Sequence, residues 1–130
     1  MTPHITAIYG AVLALWLVAL ALRISLLRKK HRVGMGAGGV ADLQVAVRCH
    51  GNASEYIPIV ILLLLLAELQ GASALLLHIF GIAFVVGRIL HAQGMTQSQG
   101  RTSFGRVVGT TATWLSMLAL AIANLVLAVS

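Results

Sequence analysis

The sequence predicts an all-α, integral membrane four-helix bundle formed by a single domain spanning residues 1–130. Three observations predict it. Hydrophobic residues fill 59% of the chain and charged residues only 9%, with a mean hydropathy of +0.97, which is a membrane composition and not that of a soluble domain. The length accommodates roughly four spans at about 20 residues each. The Lys and Arg residues gather at the ends of the apolar runs, where they bracket spans and do not interrupt them.

The first span is expected over 5–27. It is apolar apart from Ser25 and Arg23, and Arg23 is near enough to the end to snorkel to the interface. No Lys or Arg precedes it, and it is longer than the apolar core of a signal peptide, so it is expected to persist as a span. A basic run at 28–32 and a glycine-rich loop at 34–39 follow. The second span begins near 42–45 and runs to about 70. That exceeds the hydrocarbon thickness, so its first turns project beyond the bilayer core. Pro58 removes a backbone donor inside it. The run Leu62 to Leu66 reads as lipid-facing filler. A tight turn at 70–73 leads to the third span, 74–94, then a polar loop at 95–105 and the fourth span, 106–129. Small residues at Gly81, Ala83, Gly87, Gly109, Ala112 and Ala119 permit close helix contact.

Charge sets the expected topology. Lys and Arg cluster after the first span and around the loop after the third, while the turn after the second and both termini carry none. The positive-inside rule then places both basic loops in the cytoplasm and both termini outside. The net charge of +6 is accounted for by topology and anionic headgroups, without invoking nucleic acid. Cys49 is the lone cysteine, which excludes an intrachain disulfide or a Cys-based zinc cluster, and no metal-ligand set is read from the sequence. The glycine-rich loop lacks the Lys-Ser/Thr of a phosphate-binding loop.

The chemically informative stretch is R-C-H-G-N-A-S-E-Y-I-P at 48–58. Arg48, Asn52, Glu55 and Tyr56 are spaced i, i+4, i+7 and i+8, which puts a cation, an amide, a carboxylate and a phenol on one helix face. An ionised side chain inside a bilayer costs about 2.5–3.5 kcal/mol on insertion scales. Antiparallel pairing with the third span brings Arg88, His91 and Gln93 to the same level. One reading is structural, an Arg–Glu pair knitting helices together with Asn52. The other is a ligand site. Arginines take carboxylates in a bidentate fork, a glutamate takes an ammonium, and an amide serves peptide groups. Glutathione, with two carboxylates and one amine, fits that set. His50 lies about 200° around the helix from Arg48, so it either contacts headgroups or reaches a ligand held by a neighbouring subunit. His4 and His78 carry little signal.

These residues resemble the membrane-associated proteins in eicosanoid and glutathione metabolism, a family that includes microsomal glutathione transferases, microsomal prostaglandin E synthase and leukotriene C synthase. The resemblance rests on the 48–58 pattern, on the basic Arg28-Lys29-Lys30 after the first span and on G-R-I-L-H-A-Q-G at 87–94. It covers nearly the whole chain. It implies a homotrimer with glutathione bound between neighbours at the cytosolic side. Arg48, Asn52, Glu55, Tyr56 and Arg88 match the family's glutathione-binding positions, His50 matches a polar position supplied by the adjacent subunit, and Arg28 falls near a basic ligand contact. Two positions depart from the pattern. His91 and Met95 stand where the leukotriene enzyme has tyrosines. Thr102 stands where a thiolate-stabilising arginine is expected, with Arg101 beside it and Arg106 four residues on.

The resulting expectation is a glutathione-dependent transferase or peroxidase for a lipophilic electrophile drawn from the membrane, with Arg101, nearest the aligned position, or Arg106 stabilising the thiolate. Two alternatives stand beside it. One is a non-catalytic membrane protein that binds lipid or glutathione. The other is a small proton-coupled exporter using Glu55 as proton carrier.

Overall fold

The computed structural model describes residues 2–129. Four helices follow one another: α1 (His4–His31), α2 (Ala41–Leu69), α3 (Ala74–Gln97) and α4 (Phe104–Val129). Each is long and apolar enough to cross a membrane, and the chain is a four-helix membrane bundle. Among the described residues every pair of helices touches except α1 and α4. The helices α2 and α3 therefore form the middle of the bundle, with α1 and α4 on its flanks.

The helices outrun the apolar segments. α1 absorbs Arg28, Lys29, Lys30 and His31, expected as loop. Lys and Arg are good helix formers, and their charges suit the negative end of the helix dipole. At 28 residues the helix is about 42 Å long, against a hydrocarbon core of about 30 Å. It ends where Arg32 turns left-handed (φ 56°) and Val33 N donates to Arg28 O at 3.1 Å. α3 likewise continues through Met95, Thr96 and Gln97, expected as loop, and α4 starts two residues early. Local hydrogen bonding sets these ends, not hydropathy: Gly100 N closes on Met95 O at 2.8 Å, and Ser103 Oγ accepts from Arg106 N at 3.3 Å.

The turn between α2 and α3 is built by Gly71 at φ 86°, with Ala72 N donating to Ala67 O at 3.0 Å. This is the left-handed cap that glycine adopts without strain. Ser73 then accepts from Leu76 N at 3.3 Å and starts α3.

Leu13, Leu43, Val60, Leu64, Leu77, Phe84 and Leu120 are fully buried. Leu64 corrects the expectation that Leu62 to Leu66 is lipid-facing filler. Leu62 and Leu66 face outward, but a helix turns Leu64 about 200° away from Leu62 and into the core. On α4 the polarity is inverted relative to a soluble helix. Gly109, Thr113 and Ser116 face inward, while Trp114, Leu115, Leu118, Ile122 and Leu125 face outward. That is how a span with lipid around it and small residues at its contacts is arranged.

The glycines confirm close crossing of α3 and α4. A Cβ on Gly109 would stand 2.5 Å from Gly87 O, and one on Gly94 would collide with Arg106 N. Gly81 makes room for Tyr9 of α1, whose Cε2 would lie 2.5 Å from an added Cβ.

At the end away from the basic loops, α1 lacks a side-chain cap of its own. Glu68 of α2 supplies one. Its two carboxylate oxygens accept from Ile5 N at 2.9 Å and Thr6 N at 2.7 Å, so a negative charge meets the positive end of the helix dipole. Nearby, the Tyr9 hydroxyl is 2.8 Å from His78 Nδ1, so His78 has a structural partner that the sequence does not signal. Asn124 donates to Leu63 O and accepts from Gln70, joining α4 to α2. Arg23 reaches α3 and donates to Thr96 Oγ1 at 2.8 Å, in the last turn of that helix at the basic end.

Candidate functional site

The polar face of α2 forms as its spacing requires. Arg48 and Glu55 meet in a two-pronged contact of 3.1 and 3.2 Å. Their side chains remain 54% and 53% exposed, so the pair lies on an open flank of the bundle. It is the one ion pair among the described residues.

Deeper in the bundle, Arg88 of α3 is 2% exposed. Its Nη1 donates to Asn52 Oδ1, its Nη2 reaches Gly109 O at 3.5 Å, and its Nε has no acceptor. The guanidinium carbon is 5.4 Å from the centre of the Tyr56 ring and 5.9 Å from that of Phe84. These are cation–π distances. Neutral acceptors and ring faces thus hold a buried cation in place of a carboxylate. Holding Asn52 Oδ1 inward turns the amide nitrogen, a donor, away from Arg88. Trp114 Nε1 donates to the Tyr56 hydroxyl at 3.0 Å, which leaves the phenolic hydrogen free to donate elsewhere.

Arg48 and Arg106 line one cavity of about 370 Å³ with Gln44, Met95, Gln99 and Gly100. The guanidinium of Arg106 donates to Gly100 O and, at 3.3 Å, to Arg101 O. A second cavity, of about 320 Å³, lies on the other side of Arg106 against Thr102, Thr110, Thr111 and Trp114. Arg106 stands between the two.

The other predicted positions take their own places, His91 within electrostatic reach of Arg48, Arg88 and Arg106. Arg101 is exposed in the loop. Arg28, in the last turn of α1, donates to Gly36 O at 2.8 Å in the loop that follows. His50 is half-buried, and its carbonyl accepts from Ser54 Oγ. His91 is buried where α3 crosses α4, with its backbone nitrogen 2.5 Å from where a Cβ on Gly109 would lie. Gln93 does not join Arg88. It lines a cavity facing α1, because five residues carry it about 140° around the helix. Sequence reasoning missed Trp114, Phe84 and Gln44. Gln44 and Phe84 were within reach of the helical period, each one turn before Arg48 and Arg88, whereas only the third dimension brings Trp114 of α4 to this face.

The comparisons with known proteins fall on the same segments. The sequence model of the MAPEG family matches residues 6–126. The chain belongs to the MAPEG family. It is 40% identical over 121 residues to the inner membrane protein YecN of Escherichia coli (strain K12), covering 93% of this chain and 90% of that protein. YecN of Escherichia coli O6:H1 (strain CFT073) matches to the same extent. The family match takes in the whole polar face, the buried Arg88 and the segment carrying Arg101 and Arg106, so the geometry above belongs to a MAPEG chain throughout.

Proposed function

We propose that this chain binds glutathione on the Arg48–Tyr56 face and, as a homotrimer, delivers its thiol to a lipophilic electrophile or peroxide dissolved in the bilayer. The basic loops then lie in the cytoplasm and both termini outside, so glutathione enters from the cytoplasm. One observation carries the reading. A charged pair in double contact lies half exposed on a membrane helix, with the donors of Asn52 and Tyr56 oriented on the same face.

Glutathione exchanges for that pair without leaving either charge bare. One carboxylate takes the Arg48 fork, the ammonium takes Glu55, and a peptide carbonyl takes the Asn52 amide. Arg88 and Trp114 act by positioning, since each fixes the group that faces the ligand. A second subunit covering the open flank would remove Arg48 and Glu55 from lipid. His50, on another bearing of α2, and Arg28 are then available to a neighbour's ligand.

For the chemistry, Arg106 is the cation that shares a cavity with Arg48. An unperturbed thiol, with a pKa near 8.5, is mostly protonated at neutral pH, and a guanidinium beside it favours the thiolate. The thiolate sulfur attacks an electrophilic carbon, forming a C–S bond as the leaving group departs with the bonding pair. With a peroxide it attacks one oxygen, the O–O bond breaks with its electron pair leaving on the other oxygen as an alkoxide that takes a proton to give the alcohol, and a second glutathione converts the sulfenic acid to disulfide and water. Holding both reactants at one interface supplies much of the rate.

The test is calorimetric titration with glutathione, followed by ultraviolet detection of its thiolate and by turnover of a chloronitrobenzene or lipid hydroperoxide. Binding with thiolate formation and turnover is the expected result. A second reading rests on Arg106 being tied to two loop carbonyls and on Thr102 occupying the aligned position. In it the protein binds glutathione or lipid without catalysis, and glutathione binds with no thiolate signal. A proton-exporter role for Glu55 is disfavoured by its double contact with Arg48.

A further inference from the structure

A groove separate from the α2 face runs between α1 and α3. At the basic end a cavity of about 630 Å³ is lined by Arg23, Asp42, Thr96 and Gln99 among others. Ala19, Arg23 and Thr96 also line the next cavity, of about 350 Å³. Trp16 and Ala19 continue into a third, of about 290 Å³, walled by Leu13, Val85 and Ile89 and reaching Val12. From Arg23 to Val12 is about 17 Å along the helix. The polar walls lie at the basic end and the rest is apolar.

The charges at the polar end are unmatched. Arg23 donates to the Thr96 hydroxyl, and no carboxylate lies within ion-pair distance of it among the described residues. Asp42 lines the same cavity and has no cation partner among them. Gln99 Nε2 is engaged with Thr96 O, which leaves the Gln99 amide oxygen as an acceptor beside Asp42. One guanidinium, one carboxylate and a spare acceptor thus share a cavity whose other end is an apolar channel. Arg23 lies eight residues, or about 12 Å, inside the end of α1, at a depth suited to a lipid headgroup.

We propose that this groove holds one zwitterionic phospholipid bearing a primary ammonium. Its phosphate meets Arg23, its ammonium meets Asp42 and Gln99, and one acyl chain lies along Ala19, Trp16 and Val85 towards Val12. An anionic lipid such as phosphatidylglycerol gives Arg23 the same phosphate but offers Asp42 only neutral hydroxyls, so the carboxylate stays without a cation. A quaternary ammonium has no N–H to give Asp42 and Gln99. The proposal does not rest on the glutathione reading: Arg23 and Asp42 line no cavity shared with Arg48, and of the polar residues only Gln99 borders both.

Native mass spectrometry of the full chain in detergent tests it, with phosphatidylethanolamine, phosphatidylglycerol and phosphatidylcholine of matched chains offered at equal concentration. The expected result is retention of phosphatidylethanolamine about tenfold over either competitor, the ratio one charge-assisted hydrogen bond supplies. Asp42→Asn should remove that preference, Arg23→Gln should lower retention of every lipid, and Ala19→Phe should block the groove. Equal retention of the three lipids, dominance of phosphatidylglycerol, or a preference that survives Asp42→Asn overturns the proposal. If Ala19→Phe does not fold, the comparison of wild type with Asp42→Asn decides, because Asp42 is exposed and its substitution leaves the core intact.

Discussion

Arg88 of α3 donates to Asn52 of α2, so the buried cation of one helix fixes the orientation of an amide on the ligand-facing side of the next. This contact ties the stability of the bundle to the geometry of the candidate site. Asn52→Leu should leave the guanidinium without its side-chain acceptor, at a cost of about 1–3 kcal/mol. A lowered midpoint of thermal unfolding in detergent checks this. An unchanged midpoint means that the ring faces of Tyr56 and Phe84 suffice to hold Arg88.

Arg48→Ala and Glu55→Gln should each weaken glutathione binding at least about tenfold, because each removes one charge-assisted contact worth about 1.5–3 kcal/mol. Both side chains are about half exposed, so neither change should unfold the chain. Isothermal titration gives the affinities. Normal affinity in both variants would make the pair structural and sink the proposed site.

The two arginines beside α4 should separate in turnover. Arg106→Ala should lower kcat by roughly 10²-fold, as loss of an electrostatic stabiliser does, because Arg106 lines the cavity that Arg48 also lines. Arg101→Ala should have little effect, since Arg101 is exposed in the loop. The reverse order of effects would return the role to Arg101.

Glu68→Ala should loosen the start of α1. It removes the acceptors of the Ile5 and Thr6 amides, and losing a helix N-cap costs about 0.5–2 kcal/mol. Hydrogen exchange should accelerate at those two amides while the site face keeps its protection. Unchanged exchange there would show that water replaces the carboxylate at no cost.

Gly109→Ala should destabilise the crossing of α3 and α4 by about 1–3 kcal/mol through overpacking, because the new methyl would collide with the backbone at Gly87 and His91. Gly10→Ala is the control, since nothing lies within 4 Å of its added Cβ. Equal melting of the two variants would mean that the helices separate without penalty.

The sequence by itself determined the number and order of the spans and the make-up of the polar face. Both follow from local rules: hydropathy over about 20 residues, and a helical period that aligns positions 48, 52, 55 and 56. It also marked Gly87 and Gly109 as points of close approach. It did not determine where the helices end, because Arg28 to His31 and Met95 to Gln97 are polar yet helical, and capping hydrogen bonds, not apolarity, terminate a helix. Antiparallel pairing already set Arg88 at the level of Asn52, but only the tertiary structure decided the other polar contacts across helices. Glu68 caps a helix more than sixty residues earlier in the chain, Trp114 orients Tyr56, Arg23 finds Thr96, and Gln93 turns away from Arg88. Such pairings depend on the rotation and depth of each helix against its neighbours. Steric contact at a few glycines and buried leucines sets these, and no periodicity within one segment records them.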